Sequence, residues 1–215
     1  MKRMIIVLFA AIITVQATAQ APKARVGVTG GVTIANLYGE YSGVNTDYSS
    51  KTGFTTGLIV DAPIGKSRFS FQPGLHYIQK GAVISETKDQ KVSYALRYAE
   101  LALNVMYKTP GTKGVQIIAG IGPSVDMNLP SKKVTKLSDD SKSEETLILG
   151  NEGAAVIKGI DWGLGGTAGL QFRNGAFITF NYTHGLRNLV PLENGNDAVR
   201  NSCMAIRLGW LIKNN

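Results

Sequence analysis

The side chains able to do chemistry are few and far apart. The 215 residues contain one cysteine and two histidines. Cys203 has no partner for an intrachain disulfide, and with His76 and His184 it falls short of a four-ligand zinc site of the Cys/His kind. Neither histidine neighbours a serine or cysteine nucleophile with a positioning acid, so no acyl-transfer triad is indicated. Gly163, Gly165 and Ala168 fit a loose dinucleotide-binding pattern. That pattern needs a helix after the turn and an acid farther on, whereas these glycines lie inside an alternating segment. The remaining candidates are charges set among apolar residues: Asp61, Glu100, Asp126, Asp161, Arg97 and Arg207. Such a set could form a catalytic cluster, or it could pair inside a narrow interior where an unpaired charge is not tolerated. Pairing is the expectation, with Glu100 bound to either Arg207 or Arg97 and Asp161 in the same interior set. No catalytic, cofactor-binding or metal-binding residue is expected, and the chain is not expected to be an enzyme.

The elements that carry these charges are strands. No segment of helical length repeats its apolar residues at 3.6, whereas alternation with period two recurs along most of the chain. Val26, Val28, Val32 and Ile34 oppose Gly27, Thr29, Gly31 and Thr33. Leu101, Leu103, Val105 and Tyr107 oppose Glu100, Ala102, Asn104 and Met106, and Met204, Ile206, Leu208 and Trp210 oppose Cys203, Ala205, Arg207 and Gly209. Eight such segments of about ten residues each match strands tilted across a bilayer.

Their connections alternate in length. Short ones are expected at Pro63 to Ser67, at Thr109 to Gly114, and at Asn174 and Gly175, a two-residue type I′ hairpin signal. Long ones are expected at Gly39 to Ser50, Gly81 to Lys91, Asn128 to Lys158 and Arg187 to Arg200. An up-and-down barrel with turns at one rim and loops at the other requires this alternation, and a Greek-key sandwich does not. The 128–158 loop carries mixed charges and exceeds a simple connection, so it is either a binding surface or a mobile hydrophilic loop.

Composition sets the orientation of the two faces. Charged residues make up 18% and glycine accounts for 25 positions, below and above the usual shares respectively. Glycines on a wet outer surface would add backbone entropy without benefit. Inside a narrow eight-stranded barrel they leave space for long side chains. The apolar face is therefore expected to meet lipid, with aromatic girdles of Phe69, Tyr107, Phe172 and Trp210 at the short-turn rim and Tyr38, Tyr77, Trp162 and Tyr182 at the other.

Lys2 and Arg3 precede an apolar run from Met4 to Val15, followed by Ala17, Thr18 and Ala19 in the small-x-small pattern of a secretory signal. Residues 1–19 are thus expected to be a cleaved signal peptide and residues 20–215 the barrel domain. The formal charge of +8 is scattered, without the continuous stripe or module that nucleic-acid binding uses.

With the strands placed, their wording resembles the PorT-like family of outer-membrane β-barrels over nearly all of the mature chain. The resemblance is carried by Ala35, Asn36 and Leu37; by Phe69 to Pro73 with Leu75, Tyr77, Lys80 and Gly81; and by Tyr98 to Leu101. It continues through Ala119 to Pro123, Asp161 to Leu164, and Tyr182 with Gly185, Leu186, Asn188 and Leu189. It implies an all-β, eight-stranded antiparallel up-and-down transmembrane barrel in the outer membrane, with short periplasmic turns and long extracellular loops. Outer-membrane lipid is the implied partner, with other envelope or secretion proteins beside it. The resemblance implies a barrel and not a role; the role expected, from an interior too full to conduct solutes freely, is structural or interactive, not that of an open general porin. A narrow pore or an accessory subunit of a secretion system is the alternative, and an outer-membrane hydrolase a more remote one.

Overall fold

In a computed structural model, the described residues are 23–41, 44–111, 114–150, 156–190 and 198–212. The expected signal peptide lies outside them. Ten strands form one sheet: β1 (Arg25–Tyr41), β2 (Val44–Asp47), β3 (Ser49–Pro63), β4 (Phe69–Glu86), β5 (Gln90–Lys108), β6 (Val115–Leu137), β7 (Lys142–Thr146), β8 (Ile160–Phe172), β9 (Ala176–Gly185) and β10 (Ala198–Leu211). Eight of them pair antiparallel in chain order, and the ring closes through β1 against β10, from Gly27↔Leu211 to Glu40↔Ala198. The two extra strands lie outside the ring order: β2 pairs with the end of β1 and β7 with the end of β6. Closure pairs both edges of the eight ring strands, which is what hydrocarbon demands of a spanning sheet, while β2 and β7 have one neighbour each.

The pleat sorts side chains as the alternation requires. Leu208 is 60% exposed while its neighbour Arg207 is 8% exposed. Val28, Val32, Leu58, Leu75, Ile117, Ile121 and Ile206 all face outward on the same terms. An exposed apolar band of this extent is a lipid contact, since a soluble monomer does not leave patches of that size in water. Phe69 and Tyr107 pack at the short-turn rim with ring planes tilted by 57° and centroids 5.4 Å apart, and Phe54 and Tyr77 pack at the same separation toward the other rim.

Three sequence expectations need correction. The Gly81 to Lys91 connection is not a long loop: β4 and β5 run on as a paired hairpin to Glu86↔Lys91, closed by a turn in which Thr87 N–H donates to Gln90 O at 2.8 Å. The 128–158 segment is likewise largely strand, with β6 reaching Leu137 and β7 folding back on it. Beyond the bilayer both faces of a strand are wetted, so the period-two signal that marks a strand disappears there. The third concerns Asn174 and Gly175. Gly175 has φ 96°, but no positive φ occurs at Asn174, and Gly175 N–H donates to Phe172 O at 2.9 Å. The link is therefore a three-residue turn with a single left-handed glycine, since type I′ needs positive φ at two positions. Register shifts fall at Ser50/Thr55, Val83/Ser85 and Ala95/Arg97, where the long strands leave the ring; bulges bend a strand in this way.

The seam between first and last strands can be tested directly. Ala35 pairs with Cys203 across it, and both are buried in the interior. Ala35→Cys is expected to form a disulfide with Cys203 on refolding under oxidising conditions, read as a reduction-sensitive gel shift. Absence of the cross-link would contradict the β1–β10 register.

Candidate functional site

The interior charges occupy one rung of the barrel. Inward positions of four adjacent strands stand side by side as His76↔Glu100↔Asp126↔Asp161. All four are buried. Three carboxylates in neighbouring positions repel, and hydrocarbon-bound walls offer little screening, so cations must reach them. Lys80, four residues and two pleat repeats along β4 from His76, places Nζ 2.7 Å from Asp126 Oδ2 and 3.6 Å from Glu100 Oε2. Its ammonium also stands 5.5 Å over the Tyr98 ring. From β10, Arg207 Nη2 donates to Glu100 Oε1 at 3.0 Å, and His76 Nδ1 lies 3.3 Å from the same oxygen.

Glycines make this crowding possible. A Cβ on Gly57 would stand 2.5 Å from His76 Cδ2, and one on Gly74 would stand 2.5 Å from His76 Cε1. The His76 ring fits because two neighbouring positions have no side chain. A second ion cluster closes the short-turn end: Asp61, fully buried, receives Lys108 Nζ at 2.5 and 2.6 Å and Arg25 Nη2 at 2.8 Å.

Of the residues expected to pair inside, Glu100 and Arg207 meet. Asp161 lies on the same rung, where its carboxylate accepts the backbone N–H of Trp162 at 2.8 Å. Arg97 does not join them. Its neighbours Leu96 and Tyr98 are fully buried in the interior, so the pleat turns Arg97 to the outer face. Sequence reasoning did not assign Lys80, Arg25 and Lys108 to the interior, although parity carried the signal. Lys80 shares its face with His76 and Ile78, Lys108 with Glu100 and Asn104, and Arg25 with Gly27 and Thr29. Among the described residues, no three of His, Cys, Asp or Glu converge so as to hold a metal ion.

Apolar layers bound the charged rung. Toward the long-loop rim, Ala35, Leu37, Ile78, Leu96, Tyr98 and Val199 pack with Leu147, Ile157, Leu189 and Val190 from the two long connections. Backbone hydrogen bonds fix the bases of those connections: Leu147 N–H to Ser131 O extends the β6–β7 ladder, Leu189 N–H to Val199 O closes the second connection, and Lys158 N–H to Leu189 O joins the two, at 2.8 to 2.9 Å. Toward the short-turn rim, Ile59, Phe177 and Leu211 form a smaller cluster. Between the charged rung and the lower cluster lies a cavity of about 30 Å³, bordered by Gln72, His76, Asn104 and Arg207, room for about two waters.

A model of the outer membrane protein beta-barrel domain matches residues 18–190. The chain belongs to that family. Its members' setting agrees with the lipid-facing band, and the protein resides in the outer membrane. No curated protein matches the sequence. Solved structures similar to this chain include Ail, the attachment invasion locus protein of Yersinia pestis, at 12% identity over 89% of this chain and 100% of that one, TM-score 0.44. Neisserial surface protein A is similar at 14% identity, 89% and 100% coverage, and TM-score 0.46. OprG from Pseudomonas aeruginosa is similar at 14% identity, 91% and 98% coverage, and TM-score 0.43.

Glu100 is the hub of the rung. Glu100→Ala leaves Arg207 without its carboxylate and is expected to lower stability by about 3–5 kcal/mol. Adding Arg207→Met should recover much of that loss. Urea unfolding in detergent micelles, followed by the fluorescence of lipid-facing Trp162 and Trp210, measures both; an unchanged midpoint in Glu100→Ala would remove the hub role.

Proposed function

We propose that the protein is a closed, filled outer-membrane barrel that acts through its extracellular surface as a structural or interaction component of the envelope, neither an open general porin nor an enzyme. One observation carries this reading: the interior is stacked in layers, apolar, ionic and apolar, and the two long connections pack into the upper layer and are joined by the Lys158–Leu189 hydrogen bond. A solute passing through would have to separate the Glu100–Arg207 and Lys80–Asp126 pairs and lift Leu147, Ile157 and Leu189 from their contacts. An eight-stranded ring leaves no room to do so otherwise.

The histidines support the non-catalytic part of the reading. His76 is held against Glu100 in the interior. His184 is exposed and stacks on Tyr38, with ring centroids 5.4 Å apart and its Nε2 2.9 Å from the Tyr38 hydroxyl. Among the described residues neither imidazole is hydrogen-bonded to a serine. A reactive-serine probe is expected to leave the protein unlabelled.

A narrower assignment, an accessory subunit of a PorT-like secretion or transport system, draws its support from the wording of Tyr98 to Leu101 and Asp161 to Leu164. Co-purification with other envelope proteins after mild extraction tests it. The filled interior is tested in planar lipid bilayers, where the refolded protein is expected to give no sustained conductance steps. Stable porin-like steps would overturn it.

A further inference from the structure

Above the apolar band, the outward face of the extended β4–β7 sheet is unusually basic. Register places Lys91 on β5 directly opposite Lys136 on β6, and Lys136 directly opposite Lys142 on β7. Three like charges in one cross-strand row destabilise a sheet. The β3 irregularity brings Lys51 to the same surface, where its Nζ donates to Ser93 Oγ at 3.2 Å. Arg97 and Lys132 join these lysines in lining a concavity of about 350 Å³, which Lys80 and Leu96 of the interior set also border.

The protein's own acids offset only part of this charge. Glu144, the sole carboxylate lining the concavity among the described residues, is shared between Lys142 and Lys132, the latter at 2.5 Å. Hydrogen bonds from those two lysines hold its carboxyl down at about 2, so it is already ionised at neutral pH and has no further charge to give. Lys91 reaches Glu86 at 2.9 Å, and Lys136 lies 4.0 Å from Asp140, both at the exposed edge. Lys51 and Arg97 have no carboxylate partner among the described residues.

Position narrows the ligand. Gln79 lines the same concavity and donates to the Tyr77 hydroxyl at 3.2 Å, and Tyr77 packs on Phe54 in the aromatic girdle. The basic concavity therefore opens directly above the level where acyl chains end and headgroups begin. We infer that it binds the phosphate groups of a saccharide-headed glycolipid of the outer leaflet, whose acyl chains lie along the apolar band below. Lysines supply the point charges and Arg97 a planar fork for phosphate oxygens. The lysine row and Arg97 are on the outer face, so their binding of phosphate does not depend on whether the lumen conducts.

The test uses the full chain in phosphatidylcholine nanodiscs with phosphorylated lipid A, dephosphorylated lipid A, or a soluble glucosamine phosphate. Wild-type protein is expected to bind phosphorylated lipid A, weakening with salt. The Lys91→Gln, Lys136→Gln, Lys142→Gln triple variant should lose roughly ten- to a hundredfold in affinity. A control pair at the opposite rim, Lys66→Gln with Arg68→Gln, should lose nothing. In lipid-A-free detergent the triple variant should unfold at the same or a higher urea concentration than wild type, because repulsion is relieved; that result also shows that it folds. Equal binding by the dephosphorylated lipid, or by the triple variant, would overturn the site. Equal binding of soluble glucosamine phosphate would overturn the assignment to a lipid headgroup.

Discussion

Hydrocarbon cannot hydrogen-bond a peptide group, and that constraint governs this molecule. A sheet placed there has to pair its first strand with its last, and the β1–β10 seam does so over most of the length of both strands. Closure then fixes the rest. Eight strands enclose a space only wide enough for side chains, so long and charged residues on the inner face must be accommodated by glycines and neutralised by one another. The outer face, by contrast, needs only to be apolar at bilayer depth.

The interior resolves this as layers. A charged rung across β4, β5, β6 and β8 sits between two apolar clusters, and the upper cluster recruits leucines, an isoleucine and a valine from the long connections. The connections are therefore part of the interior packing at their bases while their tips face outward. Burying the ions has a desolvation cost that their pairing offsets. The arrangement is specific because Glu100 serves Arg207, His76 and Lys80 together, so that no one of these contacts stands alone.

The strands that exceed bilayer thickness obey different rules. Above the membrane, β4 to β7 keep their backbone ladder but lose the hydrophobic reason for it, and the faces are decided by charge. Within the rung, opposite charges meet; on the outer face above the band, lysines meet lysines. A fold that pairs its buried ions so closely and leaves this surface row only partly compensated has a strong electrostatic field directed at the headgroup layer.

By itself the sequence determined which faces are oily and which are enclosed, because alternation such as Val26, Val28, Val32 and Ile34 against Gly27, Thr29, Gly31 and Thr33 is imposed by a pleat with lipid on one side. It also placed Glu100, Asp126, Asp161 and Arg207 on the inner face by parity alone. It did not reveal the strand extensions of 81–91 and 128–146, where water wets both faces and the period vanishes. Nor did it establish Arg207 as the partner of Glu100. Parity within β5 already turns Arg97 away, three residues from Glu100 with no register shift between them. That Arg207 of β10 reaches Glu100 depends on which strands face each other through the lumen and at what height, and only tertiary structure decided that. Both follow from ring closure and register, which no local stretch of sequence contains.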